Sequence, residues 1–130
     1  MENKKATKKQ KTQATDKSVI VQKARLSMVP MSVKKLAPIL DIIRGKEVYY
    51  ALDMLRLMPK KAAKYTFKLL KSAISDVEHN KKISAKGMKV LEIYATPGPK
   101  IKRYRAGARM RVKPYVKYRA NIFIKIGHVS

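Results

Sequence analysis

The chain has 130 residues and carries 32 lysines and arginines against 8 acidic residues, a formal net charge of +24. This length suits one domain with a modest core, and the 45% hydrophobic content predicts that part of the chain folds. The absence of cysteine excludes disulfide scaffolds, thiolate metal sites and cysteine nucleophiles. No apolar run is long enough to cross a bilayer, and the N-terminus shows no secretory signal. Because so many uncompensated cations favour a polyanionic partner, we expect a soluble, intracellular nucleic-acid-binding protein.

Residues 1–17 have the composition of a basic tail, rich in Lys, Thr, Gln and Ala. They contain no large aliphatic side chain after the initiator, so they cannot bury enough apolar surface to offset the entropy of ordering. We therefore predict a disordered tail over 1–17 and a single domain over 18–130. A transit peptide to an organelle is the alternative, but the segment has lysines without arginine and no apolar helical face. The expected location is therefore the cytoplasm.

The first predicted elements are a strand and a helix. Loose alternation of apolar and polar residues over 18–29 predicts a strand, which Pro30 ends. Ser32 is a candidate N-cap for a helix that stops before Gly45. Pro38 lies inside this helix and removes one backbone hydrogen bond, so we expect a kink there.

Two more helices follow, a short one over 47–57 and a longer one over 59–78 with Pro59 at its first position. In the longer helix a predicted buried face recurs every three or four residues: it comprises Ala62, Thr66, Leu69, Leu70, Ala73, Ile74 and Val77. Lysines cover the rest of its surface, with almost no acid before Asp76. A solvated face and phosphate contact explain these lysines equally well.

Strands are predicted over 89–96 and 115–126, joined by the basic segment 98–114. A single hairpin over 89–126 would have arms of about 18 residues that span roughly 60 Å at ~3.3 Å per residue. A compact chain of this length has a radius of gyration of only about 14 Å. Such a hairpin must therefore project well beyond the rest of the domain.

The last 38 residues contain no acid and ten lysines or arginines. The arginines are placed symmetrically about Gly107, so a reversal there predicts Arg105 opposite Arg109 and Arg103 opposite Arg111. Like charges facing each other destabilise a hairpin, and cations on both faces of each strand leave no face for a protein core. The segment therefore favours a lattice of phosphates, where guanidinium groups bind oxygens in pairs. A flexible basic loop is the alternative.

Aromatic residues lie among these cations: Tyr104, Tyr115 and Tyr118. They suit stacking on exposed bases and cross-strand packing on the hairpin equally well.

Catalytic constellations are missing from the sequence. His79 and His128 are the only histidines, one at a predicted helix end and one near the chain end. Asp76 and Glu78 point to different sides of a helix and make a poor acid pair. No phosphate-binding glycine loop or metal-ligand spacing is present. We expect no enzymatic activity, no metal and no cofactor.

Five short sequence words, in order and spacing, resemble the large-subunit ribosomal protein L22 family from about residue 24 to residue 126. The words are Ile43-Arg44-Gly45-Lys46, Pro59-Lys60-Lys61-Ala62-Ala63, Leu70-Lys71-Ser72-Ala73-Ile74, Glu78-His79-Asn80, and Gly98-Pro99 with the basic pattern from Lys102 to Arg111. The resemblance implies an α+β fold, in which a small three-stranded antiparallel sheet packs on about three helices and a long β-hairpin protrudes.

The resemblance also implies a structural constituent of the large ribosomal subunit that binds rRNA during assembly and lines the polypeptide exit tunnel with its hairpin. The implied partners are large-subunit rRNA, neighbouring large-subunit proteins and the nascent polypeptide that passes the hairpin tip. We expect no membrane partner and no homo-oligomer.

Carried onto this sequence, the resemblance and the charge pattern predict rRNA contacts at basic residues of both the domain and the hairpin. These are Arg25, Lys34, Lys35, Arg44, Lys46, Lys60, Lys61, Lys64, Lys71, Lys100, Lys102, Arg103, Arg105, Arg109, Arg111, Lys113, Lys117 and Arg119. The predicted tunnel tip comprises Ala106, Gly107, Ala108 and Met110. The family commonly has Pro, Arg and Gly near the tip, so this tip is less charged, and Met110 suits a tunnel wall better than a phosphate.

Composition alone leaves two other function classes open. An architectural DNA-binding protein could place a basic β-ribbon in the minor groove. A cationic amphipathic protein could lie on a membrane surface through the helix over 59–78. The family resemblance favours RNA over both.

Overall fold

A computed structural model describes residues 18–129, with side chains described from 21 to 128. The tail predicted over residues 1–17, and the transit peptide considered for it, lie outside the described residues. The elements in chain order are β1 (Ser18–Val29), α1 (Val33–Ile43), α2 (Val48–Leu57), α3 (Lys61–Asn80), β2 (Lys89–Pro97), β3 (Ile101–Ala106), β4 (Val112–Lys117) and β5 (Ala120–Val129). This is the α+β fold that the sequence predicts.

One antiparallel sheet carries the core, with its strands in the order β1-β5-β2. Along the central strand β5 the isoleucines alternate with polar or half-buried residues, so one sheet face is apolar. Helices α1 and α3 pack against this sheet, and α2 packs on α3. The buried side chains include Leu36, Ile39, Leu40, Ile43, Val48, Ala51, Leu55, Val90, Ile93, Ile122, Ile124 and Ile126.

The long helix α3 buries every residue of the face predicted for it, together with Ala63. Its start differs from the prediction, because Lys60 is the N-cap and Pro59 precedes it instead of occupying the first helical position. The residue before a proline favours extended backbone, and Met58 (φ −76°, ψ 123°) follows that rule. The chain then stays extended through Lys60. No helix within residues 18–129 is both long and apolar enough to span a membrane.

Helix α1 continues through Pro38, whose ring lies on the exposed side. The helix ends where predicted, since Gly45 adopts a left-handed conformation (φ 74°) that glycine tolerates at a helix end. The Gly45 N–H then donates to the Val90 carbonyl oxygen at 2.9 Å. This bond fixes the end of α1 against strand β2.

The strand predicted over 115–126 is wrong in one respect, because it is two strands that belong to different sheets. Strand β4 pairs only with β3, whereas β5 joins the core sheet, and the break falls between them. Opposite this break the Gly98 N–H donates to the Arg119 carbonyl oxygen at 2.8 Å. A Cβ at Gly98 would lie 3.2 Å from Arg119 atoms, so glycine permits this approach.

Candidate nucleic-acid interface

Strands β3 and β4, with the turn between them, form a two-stranded ribbon over residues 101–117 that we call the arm. The strands pair antiparallel from Ile101 opposite Lys117 to Ala106 opposite Val112. Apart from half-buried Ile101 and Gly107, every arm residue is exposed. The arm therefore has no apolar core of its own.

The register of the arm differs from the predicted one. Arg105 faces Lys113 and Arg103 faces Tyr115, so the predicted arginine–arginine pairs are wrong. The chain reverses at Arg109 and Met110, which adopt left-handed backbone (φ 53° and 58°) in a short 3-10 turn. Gly107, the predicted centre, is extended with φ −113°.

This register gives the arm two different faces, because successive side chains of a strand point to opposite sides. The cationic face carries Arg103, Arg105, Lys113 and Lys117 around Tyr115. The other face carries Lys102, Tyr104, Ala106, Val112, Pro114 and Val116. The prediction of cations on both faces is therefore confirmed for β3, where Lys102 lies on the face opposite to Arg103 and Arg105, and wrong for β4, whose lysines share one face.

Aromatic rings support some of these cations. The Arg105 guanidinium lies 5.6 Å from the centroid of the Tyr115 ring, and Lys100 Nζ lies 5.9 Å from that of Tyr118. Both distances suit a cation–π contact. Within the part of the chain that the structure describes, Tyr104 has no such partner, and 70% of its surface is exposed.

A cleft of about 960 Å³ lies where the arm joins the domain, beside the N-terminus of α1 and the start of α3. Six of the predicted rRNA-binding residues line it: Lys34, Lys35, Lys61, Lys100, Lys117 and Arg119. No acidic residue lines it among those that the structure describes. Its apolar lining includes Pro30, Met31, Val33, Pro97 and Tyr118.

Two polar groups on residues that line this cleft lack a side-chain hydrogen bond. The Nε atom of Arg119 is buried and has no hydrogen-bond partner among the described residues. The N-terminus of α1 lines the same cleft, and the side chain of its N-cap Ser32 makes no capping hydrogen bond. Free backbone N–H groups at a helix start carry partial positive charge. Sequence reasoning missed this backbone contribution, for which only the N-cap pattern at Ser32 gave a signal.

The other predicted residues lie outside the cleft. Lys60, Lys64 and Lys71 are exposed at the start and along the surface of α3. The Arg44 guanidinium already has two partners within the protein. Its Nη1 lies 2.8 Å from Asp41 Oδ1, and its Nη2 donates to the Ile93 carbonyl oxygen at 3.1 Å.

Four further predicted cations also lie apart from it. Lys46 Nζ lies 5.9 Å from the centroid of the Tyr50 ring, and Arg25 lies on the outer face of the core sheet. Arg109 and Arg111 are exposed at the tip, next to Ala108 and Met110.

Sequence comparison identifies similar proteins. Residues 24–127 match the family described as ribosomal protein L22p/L17e. The chain is 36% identical over 98 residues to large ribosomal subunit protein uL22 of Latilactobacillus sakei, covering 75% of this chain and 84% of that protein. It is 40% identical over 88 residues to uL22 of Caldicellulosiruptor saccharolyticus, covering 68% and 72%. It is also 40% identical over 84 residues to uL22 of Carboxydothermus hydrogenoformans, covering 65% and 74%.

Proposed function

Because this chain belongs to the ribosomal protein L22p/L17e family, we infer that it is a structural, non-enzymatic constituent of the large ribosomal subunit. It binds large-subunit rRNA there and lies among neighbouring ribosomal proteins. The observation that carries this function is the convergence of six cations on the cleft at the base of a basic arm, with no acid among the described residues that line the cleft.

The cleft and the cationic face of the arm are the proposed rRNA-binding surface. Arg103, Arg105 and Lys113 project from the arm, and Arg119 lines the cleft. Guanidinium groups bind phosphate oxygens in pairs, and lysines add point charges that release counterions. Because the arm has no apolar core of its own, its conformation must be stabilised from outside. Contact with RNA on both of its faces would supply that stabilisation.

The tip of the arm is the proposed tunnel-lining segment. Met110 is fully exposed at the end of the turn, beside exposed Ala106 and Ala108. An apolar residue exposed at the tip, between Arg109 and Arg111, suits a position where the chain leaves the phosphates and faces a passing polypeptide. We propose that the nascent polypeptide contacts this tip and that the protein acts as a single copy, since net charge of +24 opposes self-association.

Competition binding tests the proposed function. Labelled full-length protein is bound to folded large-subunit rRNA, and random duplex DNA is added as competitor at matched salt. We expect rRNA to compete much better than the duplex, because the cleft and the arm fit a folded RNA surface. Equal competition would instead support an architectural DNA-binding protein, and tighter retention on anionic vesicles than on rRNA would support a membrane-surface protein.

Sedimentation in a cell lysate gives a second, independent measurement. Tagged protein should co-migrate with large subunits. Migration as free protein at low salt would contradict the assignment.

A further inference from the structure

The core sheet has an outer face opposite the buried isoleucines, and an ordered row of side chains crosses it. In the strand register Arg25 of β1 faces Phe123 of β5, and Phe123 in turn faces Tyr94 of β2. Arg25 and Tyr94 are exposed, and Phe123 is half-buried. We call these three residues the Arg25–Phe123–Tyr94 row.

The row is a stack of planar groups. The Tyr94 and Phe123 rings lie with centroids 5.1 Å apart and planes 17° from parallel, and the Arg25 guanidinium carbon lies 5.2 Å from the Phe123 centroid. Because β5 lies between β1 and β2, Arg25 and Tyr94 flank Phe123 from opposite sides. Strand β2 is an edge of the sheet, so the stack ends at Tyr94, where 38% of the residue is exposed.

The surroundings of this stack are cationic. Lys23, Arg25 and Lys125 line a shallow groove of about 190 Å³ together with Tyr94 and Phe123. Beside this groove Glu92 forms an ion pair with Lys125. The hydrogen bond to Glu92 raises the pKa of Lys125 above the ordinary lysine value. Cross-strand packing explains the pair of aromatic rings, but it does not explain why Lys23, Arg25 and Lys125 lie beside them.

We propose that the outer face of the sheet is a further RNA-binding surface, on which Tyr94 stacks an unpaired base while Lys23 and Arg25 bind the flanking phosphates. The proposal rests on the proposed function, in which rRNA is the partner. Aromatic rings stack on bases only where the face of the base is open, as in loops and bulges, and the cations then neutralise the backbone. The occupant is therefore an unpaired nucleotide of the rRNA and not a duplex.

Substitution at Tyr94 separates a stacking role from a packing role. Tyr94→Leu keeps an apolar side chain on the sheet but removes the ring, whereas the matched variant Tyr94→Phe keeps the ring. With full-length protein and large-subunit rRNA, we expect Tyr94→Leu to bind about tenfold more weakly, and Tyr94→Phe to bind like wild type. Because neither change alters charge, the slope of log affinity against log salt should stay the same for both.

Ultraviolet crosslinking locates the base directly. Trypsin releases residues 90–100 and 120–125 as peptides whose only aromatic residues are Tyr94 and Phe123 respectively. We expect crosslinked nucleotide on the 90–100 peptide in addition to the peptides of the arm, and its loss in Tyr94→Leu.

The outcomes distinguish this proposal from the proposed function. If Tyr94→Leu binds rRNA as tightly as wild type, or if crosslinks are confined to the arm, the stacking proposal is wrong although the protein still binds rRNA. Either result would favour a protein neighbour on this face. Equal weakening of Tyr94→Leu and Tyr94→Phe with a lowered unfolding temperature would overturn it in favour of a packing role. Failure of the wild type to prefer rRNA over duplex DNA would instead reject the proposed function.

Discussion

Because Gly107 has no Cβ, its backbone can approach that of Arg111 closely across the turn of the arm. The Gly107 N–H donates to the Arg111 carbonyl oxygen at 2.7 Å, and a Cβ on Gly107 would lie 2.8 Å from that same oxygen. Backbone atoms cannot accept a Cβ at this distance without moving. Glycine is needed here for space, since its extended backbone is one that any residue adopts.

Gly107→Ala should therefore change the conformation of the tip without destabilising the domain. The added methyl displaces the Arg111 carbonyl and breaks the bond that closes the turn, whereas residues 108–112 are exposed and contribute nothing to the core. Amide chemical shifts of residues 106–112 should move, and the unfolding temperature should stay within about 2 °C of wild type. Ala108→Ser, an exposed neighbour, is the control, and an unchanged spectrum for Gly107→Ala would contradict the close approach.

The turn shows what residue patterns leave open. The symmetry of the arginines about Gly107 suggested a reversal at the one residue that tolerates any backbone conformation. The chain instead reverses at Arg109 and Met110, two residue types that rarely adopt left-handed backbone. No local sequence signal predicts such a backbone conformation, so the register of the arm could not be predicted from the sequence.

At the scale of elements, the arm is a ribbon with a cationic face and a mostly apolar face. Four of the five cations on β3 and β4 share one side, with Tyr115 among them. An isolated ribbon of this kind buries too little surface to be stable alone. Its order in the assembled particle therefore depends on the groups that it contacts.

Combined replacement of Arg103, Arg105, Arg109 and Arg111 with Ala should weaken rRNA binding and leave the helical circular dichroism signal largely intact. None of these side chains is buried, so the core loses nothing. If each arginine neutralises one phosphate, the slope of log affinity against log salt should fall by about 3.

A matched control removes the same charge elsewhere, from exposed residues outside the proposed surface: Arg56, Lys68, Lys86 and Lys89. This control should bind rRNA more tightly than the arm variant. Equal weakening of the two variants would mean that net charge alone governs binding. Global unfolding of the arm variant would mean that the arm belongs to the core.

The helices and the core sheet were largely predictable because the spacing of apolar residues along the sequence follows the face that each element buries. The face of α3 is buried as predicted, and Ile122, Ile124 and Ile126 alternate with polar or half-buried residues and are buried. The break before β5 was not predictable, because the apolar alternation continues across it. What interrupts pairing there is a backbone contact between Gly98 and Arg119, which are distant in sequence.

At the scale of the whole molecule, unbalanced charge dominates. Within residues 18–129 the acids form only two ion pairs, Arg44 with Asp41 and Lys125 with Glu92. Most cations therefore repel one another in the free protein. The same repulsion is relieved when RNA phosphates lie between them.

Salt should consequently act in opposite directions on folding and on binding. Raising sodium chloride from about 0.05 M to about 0.5 M shortens the screening length to a few ångströms, which weakens both repulsion and phosphate attraction. The unfolding temperature of the free protein should rise, by roughly 4 °C for about 1 kcal/mol of relieved repulsion, while rRNA affinity falls steeply. Thermal circular dichroism and filter binding measure the two effects, and a lower unfolding temperature at high salt would contradict the repulsion argument.

The sequence motifs predicted the fold class and the family, but not the cleft. Its cations come from α1, α3 and both sides of the arm's base, so no linear pattern brings Lys35, Lys61 and Lys117 together. The Arg25–Phe123–Tyr94 row was missed for the same reason, since it depends on the register of three strands.

The two open edges of the arm have a consequence for copies that have not yet joined a particle. A ribbon edge with free backbone groups is a template for adding further strands, and it promotes aggregation. Pro114 offers no N–H at such an edge, and the rows of Lys and Arg keep one ribbon away from the next. The charges proposed to bind RNA thus also keep unassembled copies apart, until RNA phosphates neutralise the charges and cover the edges.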